Sequence, residues 1–271
     1  MNNALNKAHI GMQNVNAVAI ALGAGLPPCL YAGASVARYL SLEYKKPLVP
    51  VCHQVAHIEI GRLTTGARDP VILYLSGGNT QIIAFVGGKY RIFGETEDIA
   101  IGNALDVLAR GLVLKMPGGP EIERLAKEGK YIELPYVIKG MDLSFTGIVT
   151  ESIKKFKAGA KWEDICFSFQ ETCFAMLVEA TERALAHTDK KEVLLVGGVA
   201  ANKRLQEMLN SMCEQRGAKL YAISNEYSGD NGAMIAWTGM LFYNNGTRIS
   251  VKRSKIKPKW RTDEVEIPYF R

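Results

Sequence analysis

"VILYLSGGNTQIIAFV", residues 71–86, decides the fold class of this chain. Two apolar runs rich in β-branched residues flank the sequence Ser-Gly-Gly-Asn-Thr, which predicts a tight turn between paired strands. A second glycine pair, Gly87 and Gly88, precedes another strand-like run that ends at Glu95. Residues 69–95 therefore predict a three-stranded antiparallel meander.

Segments on both sides of the meander alternate between strand and helix patterns. Short buried runs separated by stretches with helical apolar spacing predict a mixed α/β fold of two lobes. The last helical stretch, GDNGAMIAWTGMLFYNNG, begins beside Asp230, which we expect to cap that helix. The predicted strands outside the meander are residues 16–22, 47–53, 192–196 and 219–224.

The charge of the chain is moderately basic. It has 33 Lys and Arg residues against 27 Asp and Glu residues, a formal charge of +6 and a pI near 9.0. This excess permits a polyanionic partner without requiring one. Two basic runs, residues 154–162 and 252–261, each contain one tryptophan, and both solvated surfaces and RNA contacts would explain them.

The five cysteines are scattered along the chain and never occur as C-x-x-C. This pattern favours a reducing, cytoplasmic location and argues against a disulfide framework or a zinc knuckle. The longest early apolar stretch, residues 18–36, is interrupted by glycines and two prolines. We expect it to form core, and we expect no membrane partner.

The sequence HQVAH, residues 53–57, contains two of the four histidines. On a helix, His53 and His57 share one face and could hold one cation, and two unliganded core histidines are the alternative. The metallopeptidase form H-E-x-x-H needs Glu after the first His as a general base, and Gln54 occupies that position. Peptide hydrolysis by that route is therefore disfavoured.

Glycine-rich corners form the second group of candidate sites. The turn at residues 76–80 can surround an anion with backbone N–H groups and hydroxyls, although a plain hairpin turn explains the same residues. Gly197 and Gly198 lie between a predicted strand and a helix, where a nucleotide can approach bare backbone. Asp106 and Asp230 also adjoin glycine-rich turns. Taken together with the histidine pair, these corners indicate a nucleotide cleft with a metal.

Eight short motifs occur in an order that resembles one known family. They are HQVAH, LYLSGGNTQ, GNALDV, PGGPEIE, DLSFTGI, FSFQET, LVGGVAAN and DNGAMIA. In this order they resemble the universal tRNA threonylcarbamoyladenosine transferases. The ending RTDEVEI is similar to the archaeal and eukaryotic branch, whose members work within the KEOPS complex. The resemblance extends from about Asn16 to Ile267.

The resemblance implies an α/β, two-lobed, actin-like ATPase (ASKHA) fold, the type shared by sugar kinases and actin. The implied first lobe comprises residues 1–72 and 245–271. The implied second lobe, residues 73–244, carries the nucleotide and phosphate loops. Family members begin with additional strands, so the first lobe is expected to be truncated at its N-terminus, and the activity of this chain is left open.

The implied reaction transfers a threonylcarbamoyl group from threonylcarbamoyl-AMP to N6 of adenosine 37 in tRNAs that read codons beginning with A. The implied partners are tRNA, threonylcarbamoyl-AMP or ATP, a small atypical protein kinase and other KEOPS subunits.

Site residues are also implied by the resemblance. His53, His57 and Asp230 would hold one divalent metal ion, with Tyr74 at or near its coordination sphere. Iron is the metal that the resemblance implies, and zinc, manganese or magnesium are alternatives. The implied substrate- and nucleotide-binding residues are Tyr74, Leu75, Ser76, Gly77, Gly78, Asp106, Gly119, Glu123 and Asn202.

Two other functions stay open at the level of sequence. A small-molecule kinase of the same fold superfamily would explain the glycine-rich corners but would leave His53 and His57 without a role. A non-catalytic nucleotide-binding fragment that docks a partner kinase would explain the expected truncation of the first lobe.

Overall fold

The computed structural model describes residues 2–270 and has alternating helices and strands, as the sequence predicts. The helices are α1 (Asn2–Ala8), α2 (Pro27–Glu43), α3 (His53–Thr65), α4 (Ile101–Gly111), α5 (Gly118–Ala126), α6 (Thr146–Lys157), α7 (Trp162–Thr188), α8 (Lys203–Gln215), α9 (Asn225–Ser228) and α10 (Gly232–Asn244). The strands are β1 (Val18–Gly23), β2 (Leu48–Cys52), β3 (Val71–Leu75), β4 (Thr80–Val86), β5 (Lys89–Glu95), β6 (Ile138–Lys139), β7 (Asp142–Leu143), β8 (Glu192–Val196) and β9 (Lys219–Ala222). Short 3-10 helices cover Met12–Asn14, Gly198–Ala201, Val251–Arg253 and Thr262–Glu264.

The predicted meander forms one side of a five-stranded sheet in the order β5-β4-β3-β8-β9. Strands β3 and β4 are antiparallel, whereas β3, β8 and β9 run parallel to one another. Every residue of β3 is buried, as expected for a central strand that is covered on both faces. The carboxyl ends of β3 and β8 therefore lie side by side, and a glycine pair follows each of them.

By its internal contacts the chain divides into two compact units. Unit 1 comprises the residues up to Ile60, Gly87–Tyr90 and the residues from Asp230 onward, and unit 2 comprises Gly61–Val86 and Arg91–Gly229. The lobe bounds implied by the resemblance, residues 1–72 with 245–271 and residues 73–244, stay a prediction.

Unit 1 is built on a strand-helix-strand crossover. Helix α2 connects the parallel strands β1 and β2, whose registered pairs include Val18 with Leu48. Helix α10 packs closely on this pair, because a Cβ added at Gly239 would lie 2.3 Å from the Cβ of Ala19. The buried cluster of this unit consists of Ile20, Leu22, Ala34, Ala37 and Leu48.

One predicted helix cap is wrong. We expected Asp230 to cap the last helix, but α10 begins at Gly232, and its N-cap is Asn231. The side-chain oxygen of Asn231 accepts a hydrogen bond from the backbone amide of Met234 at 2.9 Å. Asparagine and aspartate serve equally well as N-caps, so composition alone could not distinguish the two neighbours. Asp230 is thereby left for another role.

Two further observations bear on the expectations from composition. All five cysteines are unpaired, and all except Cys29 are buried. Among residues 2–270, no helix is both long enough and apolar enough to cross a bilayer.

The corner after β8 depends on a glycine. Gly197 has φ 93° and ψ 172°, a backbone conformation that only glycine adopts readily. A Cβ at this position would lie 2.2 Å from the carbonyl oxygen of Leu75. A residue without a side chain is therefore required at position 197. It allows the ends of β3 and β8 to approach each other, which positions the loops that follow them.

We predict that Gly197→Ala lowers the free energy of unfolding by about 3 kcal/mol, because it adds both backbone strain and a steric clash. The melting temperature should fall by roughly 10 °C. Gly198→Ala is the matched control, since a Cβ at Gly198 meets no atom within 4 Å. Thermal unfolding of the two variants checks this, and equal melting temperatures would contradict it.

Candidate metal centre and nucleotide pocket

Three metal-ligating side chains converge in unit 1. Helix α3 begins at His53, so His53 and His57 lie one turn apart, and their ring centroids are 4.8 Å apart. The Nε2 atoms of His53 and His57 lie 3.3 Å and 3.1 Å from Oδ1 of Asp230. One ligand atom from each residue lies within 4.8 Å of the other two. Within residues 2–270, His53, His57 and Asp230 form the one group of at least three His, Cys, Asp or Glu side chains that are close enough together to hold a metal ion.

The donor set fits a divalent transition metal. Two ligand atoms that each lie about 2.1 Å from one ion in tetrahedral geometry are separated by roughly 3.4 Å. The two imidazole-to-carboxylate distances, 3.1 and 3.3 Å, are close to that separation. Imidazole nitrogens with one carboxylate oxygen suit iron, zinc or manganese better than calcium. The residues present therefore fit a metal with further coordination positions open to substrate.

The carboxylate of this centre is held in its charged form. Hydrogen bonds from His53 and His57 hold the pKa of Asp230 well below its usual range. His57 is buried, whereas the side chain of Asp230 is 78% exposed, so the centre opens to solvent on the carboxylate side. A substrate can reach the centre from that side.

Gln54, which lies between the two histidines in the sequence, has a structural role. It is 4% exposed, and its Oε1 accepts a hydrogen bond from Oγ1 of Thr262 at 3.2 Å. The thiol of Cys52 is 3.6 Å from the same oxygen, and burial raises the pKa of Cys52 to about 11. Gln54 therefore ties α3 to the C-terminal segment and cannot act as the general base that a metallopeptidase needs. Cys52 is not part of the group of three ligand side chains.

A pocket of about 320 Å³ lies in unit 2, where the glycine-rich corners meet. This volume is within the usual range for small-molecule sites. Five of the predicted nucleotide-binding residues line it: Gly77, Asp106, Gly119, Glu123 and Asn202. The other lining residues are Gly102, Leu105, Pro117, Pro120, Gly198, Val199 and Ala201.

The polar residues of the pocket are fixed by backbone hydrogen bonds. Oδ1 of Asp106 accepts from the amide of Gly118 at 2.8 Å, which orders the loop before α5. Oε1 of Glu123 accepts from the amide of Lys203 at 2.8 Å at the start of α8. Each carboxylate thus has one oxygen committed to the scaffold, and the geometry of the pocket is set before a ligand binds.

Asn202 is held from two sides. Its side-chain oxygen caps α8 by accepting from the amide of Leu205 at 3.1 Å, and its Nδ2 donates to Oε1 of Gln170 at 3.1 Å. Gln170 is buried in α7 and was not among the predicted site residues. The signal that could have found it is a glutamine within the apolar run ICFSFQETCFAML, because a buried amide needs a partner.

The predicted phosphate turn is a compact hairpin turn. Oγ of Ser76 accepts from the amides of Gly78 at 3.3 Å and Asn79 at 3.0 Å. A hydroxyl that accepts two bonds still has its own hydrogen to donate, so Ser76 can point an O–H toward an anion. A Cβ at Gly77 or Gly78 would meet no atom within 4 Å, so the backbone there is open on its outer side.

Tyr74 and Leu75 lie in β3 and are both buried. Neither lines the unit 2 pocket. The place of Tyr74 in a metal coordination sphere and the contact of Leu75 with substrate stay predictions.

The loop of the DLSFTGI motif is anchored by Asp98, which was not among the predicted site residues. The carboxylate accepts hydrogen bonds from Oγ of Ser144 at 2.5 Å and from the amides of Phe145 at 3.0 Å and Thr146 at 2.9 Å. It therefore anchors the start of α6 from a distant part of the chain. Partial burial raises the pKa of Asp98, but the bonds from Phe145 and Ser144 outweigh it and hold this pKa well below its usual range.

The pKa of Asp98 is lower in the folded than in the unfolded chain, so the charged carboxylate stabilises the folded state. This stabilisation is complete above about pH 4 and is lost as the pH falls below that value. We predict that Asp98→Asn lowers the free energy of unfolding near neutral pH, because the charged hydrogen-bond acceptor is lost. The loss should be only about 1 kcal/mol, because Asp98 is exposed and solvent screens its charge. The variant should also lose less stability than the parent on acidification. Urea unfolding at about pH 7 and about pH 3 checks this, with Asp189→Asn as the control. Parallel losses in parent and variant would contradict it.

Comparisons with known proteins agree on one family. A sequence model of the tRNA N6-adenosine threonylcarbamoyltransferase family matches residues 1–237. A relative of that name from Archaeoglobus fulgidus is 58% identical over 259 residues, which cover 95% of this chain and 80% of the relative. A "probable bifunctional tRNA threonylcarbamoyladenosine biosynthesis protein" from Methanocaldococcus jannaschii is 54% identical, and the match covers 97% of this chain and 49% of that protein.

A solved structure supports the fold. HypF from T. kodakarensis aligns with a TM-score of 0.66 at 15% identity, covering 89% of this chain and 42% of HypF. Together with the family match, this likeness confirms the fold expected from the resemblance, the actin-like ATPase type. The family match, the identity to archaeal relatives and this fold lead to one assignment: the chain belongs to the tRNA N6-adenosine threonylcarbamoyltransferase family.

Proposed function

We propose that this chain transfers the threonylcarbamoyl group of threonylcarbamoyl-AMP to N6 of adenosine 37 in tRNAs that read codons beginning with A. The observation that carries the proposal is the convergence of His53, His57 and Asp230 in a chain that belongs to a family of tRNA N6-adenosine threonylcarbamoyltransferases. A small-molecule kinase would need no such centre.

The proposed metal is one divalent ion held by His53, His57 and Asp230, with Tyr74 at or near its coordination sphere. Iron is the proposed metal, and zinc, manganese and magnesium are the alternatives for the same donors. When bound, such an ion supplies Lewis acidity, which polarises a carbonyl and stabilises negative charge on a departing phosphate.

The residues of unit 2 position the donor. We assign the nucleoside of threonylcarbamoyl-AMP to the pocket that Asp106, Glu123 and Asn202 line. The open backbone at Gly77 and Gly78 and the hydroxyl of Ser76 supply donors for its phosphate. Leu75 lies directly before this turn in β3 and is buried.

The chemistry is an acyl transfer to a weak nucleophile. The N6–carbon bond forms, the bond between the carbamoyl carbon and the phosphate oxygen breaks, AMP leaves and one N6 proton is released. The exocyclic amine of adenine is a poor nucleophile, so positioning and charge stabilisation supply most of the acceleration. The carboxylates that the scaffold already fixes, Asp106 and Glu123, contribute by holding the donor in one orientation.

The proposed partners follow from the relatives. Proteins named bifunctional in tRNA threonylcarbamoyladenosine biosynthesis are about twice as long as the matched region. We propose that a small atypical protein kinase and other KEOPS subunits work with this chain, and that it acts on tRNA in the cytoplasm. ATP is the alternative occupant of the unit 2 pocket.

An assay of transfer tests the proposal. The purified chain, loaded with metal, is incubated with threonylcarbamoyl-AMP and unmodified tRNA, with the partner subunits present, and the nucleosides are analysed by mass spectrometry. The expected product is threonylcarbamoyladenosine. The matched control is the same tRNA with guanosine at position 37, which should gain no such group. Equal labelling of the two tRNAs would refute the proposed acceptor.

A further inference from the structure

The basic segment, defined here as residues 252–261, holds six Lys or Arg residues and no Asp or Glu. The whole chain has 33 basic and 27 acidic side chains, so the residues outside this segment have 27 of each sign. The entire formal excess of positive charge is therefore accounted for by ten consecutive residues. A concentration of charge of this kind attracts a polyanion locally.

Exposure alternates strictly along the second part of the basic segment. Lys255, Lys257, Lys259 and Arg261 are exposed, whereas the residues between them are buried or half-buried. Pro258 and Lys259 form a turn, which the hydrogen bond from the amide of Trp260 to the carbonyl oxygen of Lys257 closes at 2.9 Å. The four exposed cations of this part of the segment, which we call the basic row, all face solvent. The residues on its inner side are Ser254, Ile256, Pro258, Trp260 and Thr262.

The inner residues anchor this row to the body of unit 1. Ile256 and Trp260 pack against the buried cluster of β1 and α2. Arg38 donates to Oγ of Ser254 at 2.8 Å and also to its carbonyl oxygen. The amide of Lys257 donates to the carbonyl oxygen of Leu22 at 2.6 Å. The basic row is therefore held in a fixed conformation, so a ligand does not need to order it on binding.

The other basic run lacks these properties. Lys154 and Lys155 at the end of α6 lie 3.4 Å and 3.9 Å from the carboxylate of Glu151 on the same helix. Glu163 and Asp164 follow it directly in α7. Its charge is thus largely balanced locally, as on an ordinary solvated helix surface.

The residue that follows the basic segment contacts the helix that carries two of the proposed metal ligands. Thr262, the next residue, is fully buried and donates its hydroxyl to Gln54, which lies between His53 and His57 in α3. One end of the basic row is therefore fixed to the helix that carries two of the proposed metal ligands. A polyanion bound along the row is held at the unit that carries the metal centre.

We propose that the basic segment, through Lys252, Lys255 and Lys259 among others, binds the phosphate backbone of tRNA and positions it for the transfer. This inference rests on the proposed function, because that function supplies the polyanion. An acidic protein partner is disfavoured, since the large apolar residues of the segment, Ile256 and Trp260, point inward, and protein interfaces need exposed apolar anchors.

The test compares two triple variants of the full chain. Lys252→Gln, Lys255→Gln and Lys259→Gln together remove three exposed charges and spare Lys257, whose Nζ lies 4.4 Å above the ring of Trp260. The control removes three charges from the other run, by Lys154→Gln, Lys155→Gln and Lys157→Gln. Fluorescence anisotropy with labelled unmodified tRNA measures the dissociation constant over a range of salt concentrations, and thermal unfolding verifies that each variant is folded.

Each phosphate contact contributes about 0.7 to the slope of log affinity against log salt. For the first variant, the slope of log affinity against log salt should therefore be smaller in magnitude than that of the parent by about 2. At roughly 0.1 M salt this variant should bind tRNA about 100-fold more weakly than the parent. The control should remain within about threefold of the parent. Unchanged tRNA binding by the first variant, or a larger loss in the control, would overturn the inference and leave the proposed function standing. If the parent chain binds no tRNA, both this inference and the proposed function fail. If the first variant keeps tRNA binding but loses binding to a protein partner, the segment is a protein interface and the inference is wrong.

Discussion

Replacing His57 by alanine should remove the bound metal ion and lower the rate of threonylcarbamoyl transfer by at least about 100-fold. Loss of a group that only supports a metal ligand costs 10- to 100-fold, so loss of a direct ligand should cost no less. His57 is buried, and its Nε2 lies 3.1 Å from Oδ1 of Asp230, so its replacement by alanine removes one of the three proposed ligands. His53→Ala, at a more exposed ligand, should give the same result. Metal content by elemental analysis and transfer rate are measured on the same preparations.

His187→Ala is the matched control for the two histidine variants. His187 is exposed near the end of α7 and contacts the ring of Phe93, with centroids 5.6 Å apart. Its replacement should leave both metal content and transfer unchanged. If His57→Ala and His53→Ala retain stoichiometric metal, the assignment of the centre is wrong, whatever happens to the transfer rate.

Gly198→Leu should block the pocket of unit 2. Gly198 lines that pocket and an added Cβ would meet no atom within 4 Å, so we expect a leucine side chain to occupy space that a nucleotide would use. Steric conflict of this size costs about 1–3 kcal/mol, and we expect AMP and ATP to bind about 10- to 100-fold more weakly. Isothermal titration calorimetry with each nucleotide measures the change.

The control for the pocket variant is Gly33→Leu, at a position in α2 where an added Cβ also meets no atom within 4 Å. It should bind nucleotide as the parent does. The metal content of both variants should be normal, because the three proposed ligands belong to unit 1. Normal nucleotide affinity in Gly198→Leu would show that the pocket is not the nucleotide site.

Much of the fold could be predicted because its strands carry strong local signals. The run from Val71 to Val86 combines β-branched residues with a Gly-Gly turn, and both strands and the turn occur as expected. The glycine pair after β8 was also predictable, since a buried strand followed directly by two glycines marks a close backbone approach. The contact of Gly197 with the Leu75 carbonyl is the physical reason for that pair.

The roles of single polar residues were less predictable, because they depend on partners far away in the sequence. Asp230 and Asn231 are equally good helix caps by composition, and only the position of α3 decides that Asp230 contacts the histidines instead. Gln54 could be excluded as a catalytic base from sequence, but its bond to Thr262 could not be predicted. Gln54 and Thr262 are more than 200 residues apart in the sequence, so no local sequence pattern indicates their contact.

The two basic runs illustrate the same limit. Both had a tryptophan and several lysines, and composition could not distinguish them. The difference lies in tertiary contacts: Glu151 balances one run, whereas Arg38 and the backbone of Leu22 hold the other in a fixed row. Local charge alone therefore predicts a polyanion partner without locating its binding surface.

The central claim is a metal-assisted transfer to tRNA, and the most direct measurement is the transfer rate of one protein sample before and after metal removal. The sample is treated with a chelator, freed of it, assayed with threonylcarbamoyl-AMP and unmodified tRNA, and then reloaded with iron, zinc or manganese. The account predicts that the rate falls by at least about 100-fold on removal and returns with one of these metals. An undiminished rate in the metal-free protein would contradict it.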